Sequence, residues 1–491
     1  MFLVFFFFGC TLNREPRQTL PVDAEAASLA TDRQTLAAAF DALPPAEAST
    51  GGPDVVIIVL DTLRADRLTD YGAPDVLMPR LEAFADAARV YPKMRSTAPW
   101  TLPSHASMFT AHYAIQHGAH GTPPGTEGVA FGLSPQHPTL AERLKTAGYR
   151  SAGIAANRGF LGEEWGLSRG FDVWLCDELA PDWNLTYPQA ERITALGLDA
   201  YQRLAKENGP SLLFLNYMDP HTPWAPREGY TAAPEQIVPA TLPPLKPWGQ
   251  QGSRWHRIRR KVLGGKRAAR PEEVASWTEA YNAEVRYLDE HLGVLLDGLA
   301  AAGHGPDDYT IVLADHGEYL GEHGLLNHSK GLHEEVIRVP LLIQGPGFPP
   351  GLDPRPVQSR DVPEMLLDAL SLARLQPDAD DGSLQVSELY WARHRDLGDP
   401  VIGAQFNHIE RAFIQDEQKL IVNDDGDIDA FALESDPGEA RSVPATGWAR
   451  GAYTFAYQWV VDQTAKRTAS PVTVPIDDAQ REKLRQLGYI E

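Results

Sequence analysis

The chain has 491 residues, of which 43% are hydrophobic, 9% aromatic and 22% charged, a composition that is typical of a folded protein and excludes extensive disorder. Lysine and arginine total 44 against 66 acidic residues, so the formal net charge is -22. This charge argues against a general nucleic-acid binder and against adhesion to anionic membranes. The length allows a large core domain and a smaller second domain.

The first ten residues, MFLVFFFFGC, form an apolar run that is too short to span a bilayer. An apolar run that ends in Gly9-Cys10 is typical of a bacterial lipoprotein, so residues 1–10 are expected to be a lipoprotein-type signal. Cys10 would then carry lipid and attach the protein to the bacterial cell envelope, facing the periplasm or the exterior. No Lys or Arg precedes the run and Phe7 and Phe8 are bulky for such a signal, so an upstream start or an accidental match is the alternative.

Residues 11–52 are polar at first, then rich in alanine, and finally rich in Pro, Ser and Gly. They are expected to form a tether with one optional helix, so that the folded part begins at Asp54. The second of the two cysteines, Cys176, is expected to be a buried small apolar residue.

Five short apolar segments alternate with helical patterns after the tether. They are DVVIIVL (54–60), RSAGIAA (150–156), SLLFLNYM (211–218), YTIVLA (309–314) and VPLLIQG (339–345). Continuous apolar runs separated by helices are typical of buried parallel strands. The expected fold class is therefore α/β, with a central, mostly parallel sheet flanked by helices.

Polar residues directly follow the first four of these strands. In strand order they are Asp61, Asn157, Asp219 with His221, and Asp315 with His316. Ligands of an open parallel sheet bind beyond the carboxyl ends of its strands, so these side chains are expected at one edge. A single Asp after a strand is commonly a helix cap or a turn residue, but four strands that deliver such groups together predict a metal or catalytic cluster.

Eight sequence blocks occur in a fixed order along the chain. They are VVIIVLDTLRADRLTDYG, PWTLPSHASMFT, NYMDPHTPW, YNAEVRYLDEHLGVLLDGL, VLADHGEYLGEHG, HEEVIRVPLLIQGPG, LESDPGEARSV and LRQLGYIE. Together they resemble the sulfatase family of the alkaline phosphatase superfamily. The resemblance implies a catalytic α/β domain at residues 53–370 and a smaller C-terminal α+β subdomain at residues 371–491. In that subdomain a short antiparallel sheet would pack with a helix, and the DPGE turn at 436–439 would lie where the subdomain closes.

The resemblance also implies the central site residues. Asp61 and Asp315 match metal-binding aspartates, His316 stands where sulfatases have Asn or His, and Thr101 takes the position of the nucleophile. Sulfatases use formylglycine, made from Cys or Ser in a Cys/Ser-x-Pro-x-Arg sequence, whereas this chain has TLPSH at 101–105. Oxidation of a threonine would give a ketone and not an aldehyde, so formylglycine cannot form at Thr101.

The expected metal ligands also depart from the usual sulfatase pattern. Sulfatases commonly have two adjacent aspartates that bind calcium, but here the pair is Asp61-Thr62. The expected site therefore has one carboxylate fewer than usual and an imidazole in addition. One divalent ion, held by Asp61, Thr101, Asp315 and His316, is expected to be zinc or manganese, with calcium possible in principle. This set resembles the Thr-nucleophile branch of the superfamily, which includes phosphoethanolamine transferases and lipoteichoic acid synthases.

The expected reaction follows from metal activation of a hydroxyl. A divalent cation acidifies a hydroxyl as it acidifies bound water, and a helix that starts at Pro103 would add free N–H groups for an anionic ester. We therefore expect a metal-dependent hydrolase or transferase that attacks phosphate mono- or diesters through a covalent intermediate on Thr101. The alternatives are a sulfatase that acts without formylglycine and a catalytically silent binder of anionic glycans or lipids. The expected partner is an anionic ester, a phosphorylated or sulfated lipid, glycan or small molecule, and no nucleic acid.

Five further residues are expected at the site because they match family positions or follow a strand. His221 is expected to contact substrate or to protonate the leaving group. His105 occupies the arginine position of the sulfatase motif, and it either orients the nucleophile loop, touches the anion or is structural. One cation is expected on the transferred group, either Lys330 or His328. Asn157 is expected to hydrogen-bond substrate, with a strand-end turn as the alternative.

Two charged features accompany the expected site. Residues 254–270 contain eight of the 44 basic residues, and they form either a solvated loop or a rim that attracts anions. The longer region 225–270 is expected to cover the pocket and to set specificity. Arg64 and Asp66 are expected to form an ion pair under the metal loop.

Overall fold

The computed structural model describes residues 22–45, 51–126, 128–179, 187–207, 209–244, 253–376, 382–443, 448–467, 470–475, 477–478, 480–481 and 484. The expected signal at residues 1–10, with Cys10, lies outside these ranges. Within them, no helix combines the length and the apolar character that a membrane crossing requires.

The described part of the chain contains alternating helices and strands. The helices are α1 (Val22–Asp41), α2 (Pro79–Ala85), α3 (Thr101–Thr110), α4 (Ala114–His117), α5 (Leu140–Thr146), α6 (Ala190–Leu204), α7 (Arg254–Leu263), α8 (Pro271–Ala301), α9 (Glu334–Ile337), α10 (Val362–Ala369), α11 (His394–Gly398) and α12 (Trp448–Ala465). The strands are β1 (Val55–Leu60), β2 (Arg89–Val90), β3 (Met94–Arg95), β4 (Phe131–Gly132), β5 (Arg150–Ala155), β6 (Val173–Leu175), β7 (Ser211–Tyr217), β8 (Tyr309–Leu313), β9 (Tyr319–Leu320), β10 (Leu326–Asn327), β11 (Leu341–Gln344), β12 (Gly351–Leu352), β13 (Val357–Gln358), β14 (Gln385–Tyr390), β15 (Ile409–Gln415), β16 (Gln418–Asn423), β17 (Ile428–Ala432) and β18 (Val472–Thr473).

An eight-stranded sheet in the order β12-β2-β11-β8-β1-β7-β5-β6 carries the core. Strands β8, β1, β7, β5 and β6 are parallel, and every residue of β1 is buried, as expected for a strand covered on both faces by helices. The expected α/β class with a mostly parallel sheet is confirmed.

The interpretation of VPLLIQG as a parallel strand is wrong. This segment forms β11, which runs antiparallel to both β8 and β2. A parallel return needs a crossover to the opposite end of the sheet, usually by a helix. Between β8 and β11 the described chain forms the antiparallel pair β9 and β10, a 3-10 helix at Glu322–Gly324 and the four-residue helix α9, so it re-enters the sheet from the end at which β8 left it.

The four strands expected to deliver polar residues are direct neighbours. Strands β8, β1, β7 and β5 lie side by side, and their carboxyl ends are level because Leu60 pairs with Tyr217 and Ala155 pairs with Asn216. This geometry brings the residues after each strand to one edge of the sheet, as the sequence predicts.

Helix α1 is part of the folded body, although it falls in the expected tether. Leu36 and Phe40 are buried in the main core, and Asp32 forms a buried ion pair with Arg192 of α6. The expected helix in this interval is therefore present, but its described residues are not a free tether.

The C-terminal part contains a four-stranded antiparallel sheet in the order β14-β15-β16-β17. The ring of Trp459 on α12 packs edge-on against Phe413 of β15 and against Tyr113. A short antiparallel sheet packed with a helix is thus confirmed. Strand β14 joins the larger domain because the backbone N–H of Glu388 donates to the carbonyl of Thr97 over 2.8 Å.

We predict that Leu36→Ala lowers the free energy of unfolding by about 3 kcal/mol, since it removes a fully buried side chain and leaves a cavity. Chemical denaturation followed by tryptophan fluorescence measures the change. Gln34→Ala on the exposed face of α1 is the matched control and should leave stability within about 0.5 kcal/mol. Equal stability of both variants would mean that α1 is not part of the cooperative fold.

Candidate active site

Two carboxylates and one imidazole meet at the edge formed by β1 and β8. Asp61 follows β1, and Asp315 and His316 follow β8. His316 Nε2 lies 3.8 Å from Asp61 Oδ1 and 3.5 Å from Asp315 Oδ2, and one possible ligand atom of each residue lies within 4.8 Å of the others. All three residues are fully buried. The structure therefore brings these predicted ligands together.

Thr101 is the first residue of α3, two positions before the start that Pro103 suggests. Its hydroxyl donates to Asp61 Oδ2 over 3.4 Å and accepts a hydrogen bond of 3.0 Å from Asn157 Nδ2. The same amide nitrogen donates to Asp61 Oδ2 over 2.9 Å. Asn157 Oδ1 accepts from the backbone N–H of Phe160, which fixes the amide in this orientation. Asn157 thus ties Thr101 to Asp61.

Three buried atoms of this cluster could accept a hydrogen bond or bind a metal ion. Asp61 Oδ1, Asp315 Oδ2 and His316 Nε2 have no hydrogen-bond partner among the described residues. Burial raises the pKa of Asp61 to about 7, and burial followed by the nearby Asp61 raises the pKa of Asp315 well above its usual range. Buried polar atoms without partners are rare, and a divalent cation would satisfy all three. The donor set of two oxygens and one nitrogen fits a metal ion.

The tautomer of His316 also fits a ligand. Its Nδ1 donates to the carbonyl of Gly317 over 2.9 Å, so Nε2 carries the lone pair that faces the two carboxylates. Burial lowers the pKa of His316 well below its usual value, which keeps the ring neutral. His221 is arranged in the same way, since its Nδ1 donates to the carbonyl of Thr222 and burial lowers its pKa to about 3. His221 Nε2 has no hydrogen-bond partner among the described residues.

His105 lies one turn after Thr101 on α3. Its Nδ1 donates to the Thr101 carbonyl over 2.9 Å and lies 3.6 Å from Asp315 Oδ2. Its ring packs edge-on against Phe109 and Phe214, and burial lowers its pKa to about 4. Of the three roles left open by the sequence, these contacts favour orientation of the nucleophile loop.

His328 links the cluster to the C-terminal part of the chain. Its ring lies 4.5 Å from that of His316, its Nδ1 donates to Glu318 Oε1 over 3.0 Å, and its Nε2 accepts from Arg393 Nη2. Burial raises the pKa of Glu318 to about 8. Because both ring nitrogens have protein partners, His328 holds Arg393 in place.

Lys330 is engaged elsewhere. Its ammonium donates to the His328 carbonyl over 2.9 Å and lies 3.0 Å from Asp396 Oδ2, and burial lowers its pKa to about 7. Lys330 and His328 were the two residues expected to place a cation on the transferred group. In the structure Lys330 pairs with Asp396, and His328 contacts Arg393. Asp219 also lies outside the ligand cluster, since it accepts from the Ala190 N–H and lies 3.4 Å from Arg227.

The sequence reasoning missed three residues at this site, Asn216, Glu318 and Arg393. Asn216 interrupts the apolar run of β7, and its Oδ1 accepts a hydrogen bond of 3.0 Å from the Asn157 N–H. A polar residue within a buried strand is the sequence pattern that indicates such a site residue. Glu318 follows the metal strand by a few residues. The sequence around Arg393 carries no local signal of its position, because contacts between residues that are distant in sequence, such as Arg259–Asp396, hold its segment at the site.

Both charged features expected from the sequence, the Arg64–Asp66 pair and the basic run at 254–270, contain ion pairs. Arg64 and Asp66 form the predicted pair, with nitrogen–oxygen distances of 3.0 and 2.7 Å. The basic run at 254–270 forms α7 and the turn before α8, and Arg259 of α7 contacts both Asp396 and Asn327. The region is therefore anchored beside the segment that carries His328, rather than being only a solvated loop.

A sequence model of the sulfatase family matches residues 53–372. The chain belongs to the sulfatase family. Enzymes of this family are metal-dependent hydrolases, and the cluster of Asp61, Asp315 and His316 supplies suitable ligands.

Relatives of this sulfatase-family protein include enzymes with different ester substrates. The chain is 26% identical over 377 residues to a choline-sulfatase of Rhizobium meliloti, covering 68% of this chain and 71% of the relative. Its fold is similar to that of a 2-O GAG sulfatase, with a TM-score of 0.64, 14% identity and coverage of 86% and 97% of the two chains. It is also similar to the phosphonate monoester hydrolase of Agrobacterium radiobacter, with a TM-score of 0.62, 17% identity and coverage of 84% and 96%.

We predict that Asp315→Asn or His316→Gln lowers the affinity for a divalent ion by at least about 100-fold, since the first removes the negative charge of a ligand and the second removes the imidazole nitrogen. Elemental analysis of dialysed protein and titration with zinc, manganese and calcium measure the change.

A second Asp/His cluster provides the matched control for this prediction. Asp54, His304 and Asp308 also lie close enough to share an ion, but Asp54 and Asp308 accept backbone N–H groups and His304 contacts Thr310. His304→Gln should therefore leave the metal content unchanged. Full metal occupancy in Asp315→Asn would contradict the assignment of the site.

Proposed function

We propose that this protein is a metal-dependent hydrolase or transferase in which Thr101 Oγ1 attacks a phosphate mono- or diester. One observation carries the proposal: a buried threonine hydroxyl, placed at the start of a helix, is hydrogen-bonded to Asp61 within a cluster of unfilled metal-ligand atoms. A cysteine or serine that could become formylglycine is absent at this position. The hydroxyl itself is then the attacking group.

The hydrogen bonds of Thr101 support a nucleophilic role. Asn157 Nδ2 donates to Oγ1, so the hydroxyl proton points to Asp61 Oδ2. Oγ1 is thereby held in one rotamer with its proton directed at an acceptor. His105 fixes the backbone of the same residue through the Thr101 carbonyl.

The proposed metal would be held by Asp61, Asp315 and His316, with Thr101 as a fourth ligand. A divalent cation lowers the pKa of a hydroxyl and offsets charge on the transferred group. Two carboxylates and one imidazole favour zinc or manganese over calcium, which prefers six to eight oxygen ligands.

The protein itself offers two positive features to an anionic ester. The first-turn N–H groups of α3 have no acceptor within the helix, and they favour negative charge. The buried guanidinium of Arg393 lies beside His328, next to the ligand His316. Arg393 therefore replaces Lys330 and His328 in the proposal as the cation on the transferred group, and Glu318 and His328 position it.

His221 enters the proposal as a hydrogen-bond acceptor for the substrate. With Nδ1 donating to the Thr222 carbonyl, Nε2 carries a lone pair and cannot donate until it is protonated. In the proposed reaction the Thr101 oxygen forms the new bond to phosphorus and the ester alcohol leaves. The proton released by the attack passes to Asp61 Oδ2, towards which it points, and the departing alcohol takes up a proton from solvent, while the neutral His221 Nε2 accepts a hydrogen bond from the substrate.

The second candidate function is sulfuric ester hydrolysis without formylglycine. The likeness to choline-sulfatase favours it, whereas the identity of Thr101 favours phosphate esters. A parallel assay of 4-nitrophenyl sulfate, 4-nitrophenyl phosphate and a phosphate diester, each with added zinc, manganese or calcium, separates the two. Turnover of the sulfate alone would overturn the preference for phosphate.

We predict that Thr101→Ala lowers kcat by at least about 10³-fold, because it removes the nucleophile. An acid-quenched reaction of the wild-type enzyme should yield a peptide that contains Thr101 and one phosphoryl group, as measured by mass spectrometry.

Thr101→Ser is the matched variant, since it keeps a hydroxyl at the same position. It should retain turnover without any maturation enzyme. Wild-type turnover by Thr101→Ala would mean that water attacks directly. Sulfatase activity of Thr101→Ser that depends on a co-expressed formylglycine-generating enzyme would indicate a pocket shaped for sulfate.

We further propose that Cys10 is lipidated and anchors the protein in a bacterial cell envelope. The apolar run before Gly9-Cys10 supports this proposal. In a bacterial host fed with labelled fatty acid, the wild-type protein should be labelled and Cys10→Ala should not. Equal labelling of both proteins, or of neither, would contradict lipidation at Cys10.

A further inference from the structure

Helix α7 presents a row of cations on its exposed side. Arg254, Arg257 and Lys261 are exposed and lie three and four residues apart, so they share one face of the helix. Lys266 is also exposed, and its backbone N–H donates to the Lys261 carbonyl over 2.9 Å, which keeps it close to this row. These four residues are called the basic face below.

The other cations of the same run are paired within the protein. Residues 254–270 contain eight Lys and Arg residues and no Asp or Glu. Four of the eight lie beside carboxylates outside the helix, in the pairs Arg259–Asp396, Arg260–Asp399, Arg267–Glu273 and Arg270–Glu272. Arg254, Lys261 and Lys266 have no carboxylate partner among the described residues, so their charge faces solvent.

The opposite side of α7 is packed against the body of the protein. Trp255, Ile258 and Val262 are buried, and the Trp255 ring packs edge-on against Trp224 and Trp277 at 6.3 and 5.5 Å. The apolar side is therefore not available for insertion into a bilayer. Any binding through α7 has to be electrostatic.

The buried Arg259 joins α7 to the candidate active site. Its Nη2 lies 2.6 Å from Asp396 Oδ1, and its Nε donates to Asn327 Oδ1 over 3.2 Å. Asn327 Nδ2 in turn donates to the hydroxyl of Thr222, which directly follows His221. The basic face is thus carried by a helix that is fixed beside the site.

The net charge of the chain decides where an anionic surface can approach it. At a net charge of -22, most of the protein surface repels anionic phospholipids. Electrostatic attraction reaches only about 10 Å at 0.1 M salt, so a local cluster of cations can dominate within that distance. Clusters of about four to eight Lys and Arg on an amphipathic helix are typical of contacts with anionic lipid headgroups.

The chemistry of the basic face favours a bilayer over a single polyanionic chain. Recognition of a glycan commonly uses an exposed ring on which a sugar can stack, but Trp255, the aromatic residue of α7, is buried. Four cations on one exposed side need no directional partner. They fit a surface that offers many phosphate groups at once.

We propose that the basic face docks the protein on a bilayer that contains anionic phospholipids, with the candidate active site held beside the contact. This inference goes beyond the proposed reaction, because it depends neither on attack by Thr101 nor on lipidation of Cys10.

Sedimentation with lipid vesicles tests the proposal. The full chain is used with Cys10→Ala, so that no acyl chain contributes, and vesicles of phosphatidylcholine are compared with vesicles that contain equal parts of phosphatidylcholine and phosphatidylglycerol. At about 0.05 M salt we expect at least about 30-fold stronger partitioning onto the anionic vesicles, and this preference should disappear at about 0.5 M salt. The apolar run at residues 1–8 is uncharged, so it does not distinguish the two headgroups.

Removal of the exposed cations should abolish the preference. A cation near an anionic surface strengthens binding about fivefold, so Arg254→Gln/Lys261→Gln/Lys266→Gln should weaken partitioning onto anionic vesicles by at least about 30-fold. Lys145→Gln/Lys206→Gln/Lys466→Gln is the matched control, since it removes three exposed cations elsewhere and gives the same net charge. It should change partitioning by less than about threefold. Far-UV circular dichroism checks the fold of both variants, and Lys261→Gln against Lys206→Gln provides the same test if either triple variant does not fold.

Equal partitioning of the wild-type face onto both kinds of vesicle would overturn the proposal. An equal loss in the two triple variants would also overturn it, because the effect would then come from net charge alone. Binding of dextran sulfate through the basic face without binding of anionic vesicles would mean that the partner is a polyanionic chain and not a bilayer.

Discussion

Two fully buried carboxylates, Asp61 and Asp315, lie at the carboxyl ends of adjacent strands, and much of the surrounding structure compensates for them. Removal of a carboxylate from water costs several kcal/mol unless hydrogen bonds or a cation replace the solvent. Asn157 and Thr101 donate to Asp61, and the N–H groups of Thr62 and His316 donate to Asp315 Oδ1. One oxygen of each carboxylate is left without such a donor among the described residues, and these oxygens face His316 Nε2. The interior is therefore built for a cation at this position.

The C-terminal sheet is tied to the same centre by a buried charge network. Lys419 of β16 lies 3.1 Å from Glu334 and 2.8 Å from Glu439 of the DPGE turn, while Arg95 lies 2.9 Å from Glu334. Such a network is weak evidence for net stability, but it fixes geometry because each charge is left unpaired if its partner moves. Arg95 directly precedes the segment that leads to Thr101. The network thus holds the segment before Thr101 and the C-terminal sheet in one arrangement, in which Arg393 contacts His328.

The sequence predicted the part of the site that depends on strand order. Asp61, Asn157, Asp315 and His316 could be placed together because residues that follow neighbouring parallel strands share an edge. The direction of β11 was not predictable from its apolar pattern, since the period of a buried strand carries no information on direction. The contacts of the expected cation were not predictable either, since Lys330 lies 3.0 Å from Asp396 and Arg393 reaches His328 through pairing between segments that are distant in sequence. Hydrophobic periodicity does not encode such long-range contacts.

Part of the backbone strain lies around the same centre. Thr62, Asn327, Ser329 and Trp391 all have positive φ values although none is glycine. Each such residue costs on the order of 1–3 kcal/mol and persists only where surrounding contacts determine its conformation. Here those contacts involve functional groups: the Thr62 N–H donates to Asp315, and Asn327 is held by Arg259 of α7. Strained backbone and buried donor atoms suited to a cation thus lie in one place. This coincidence favours a metal-dependent hydrolase over a silent binding role.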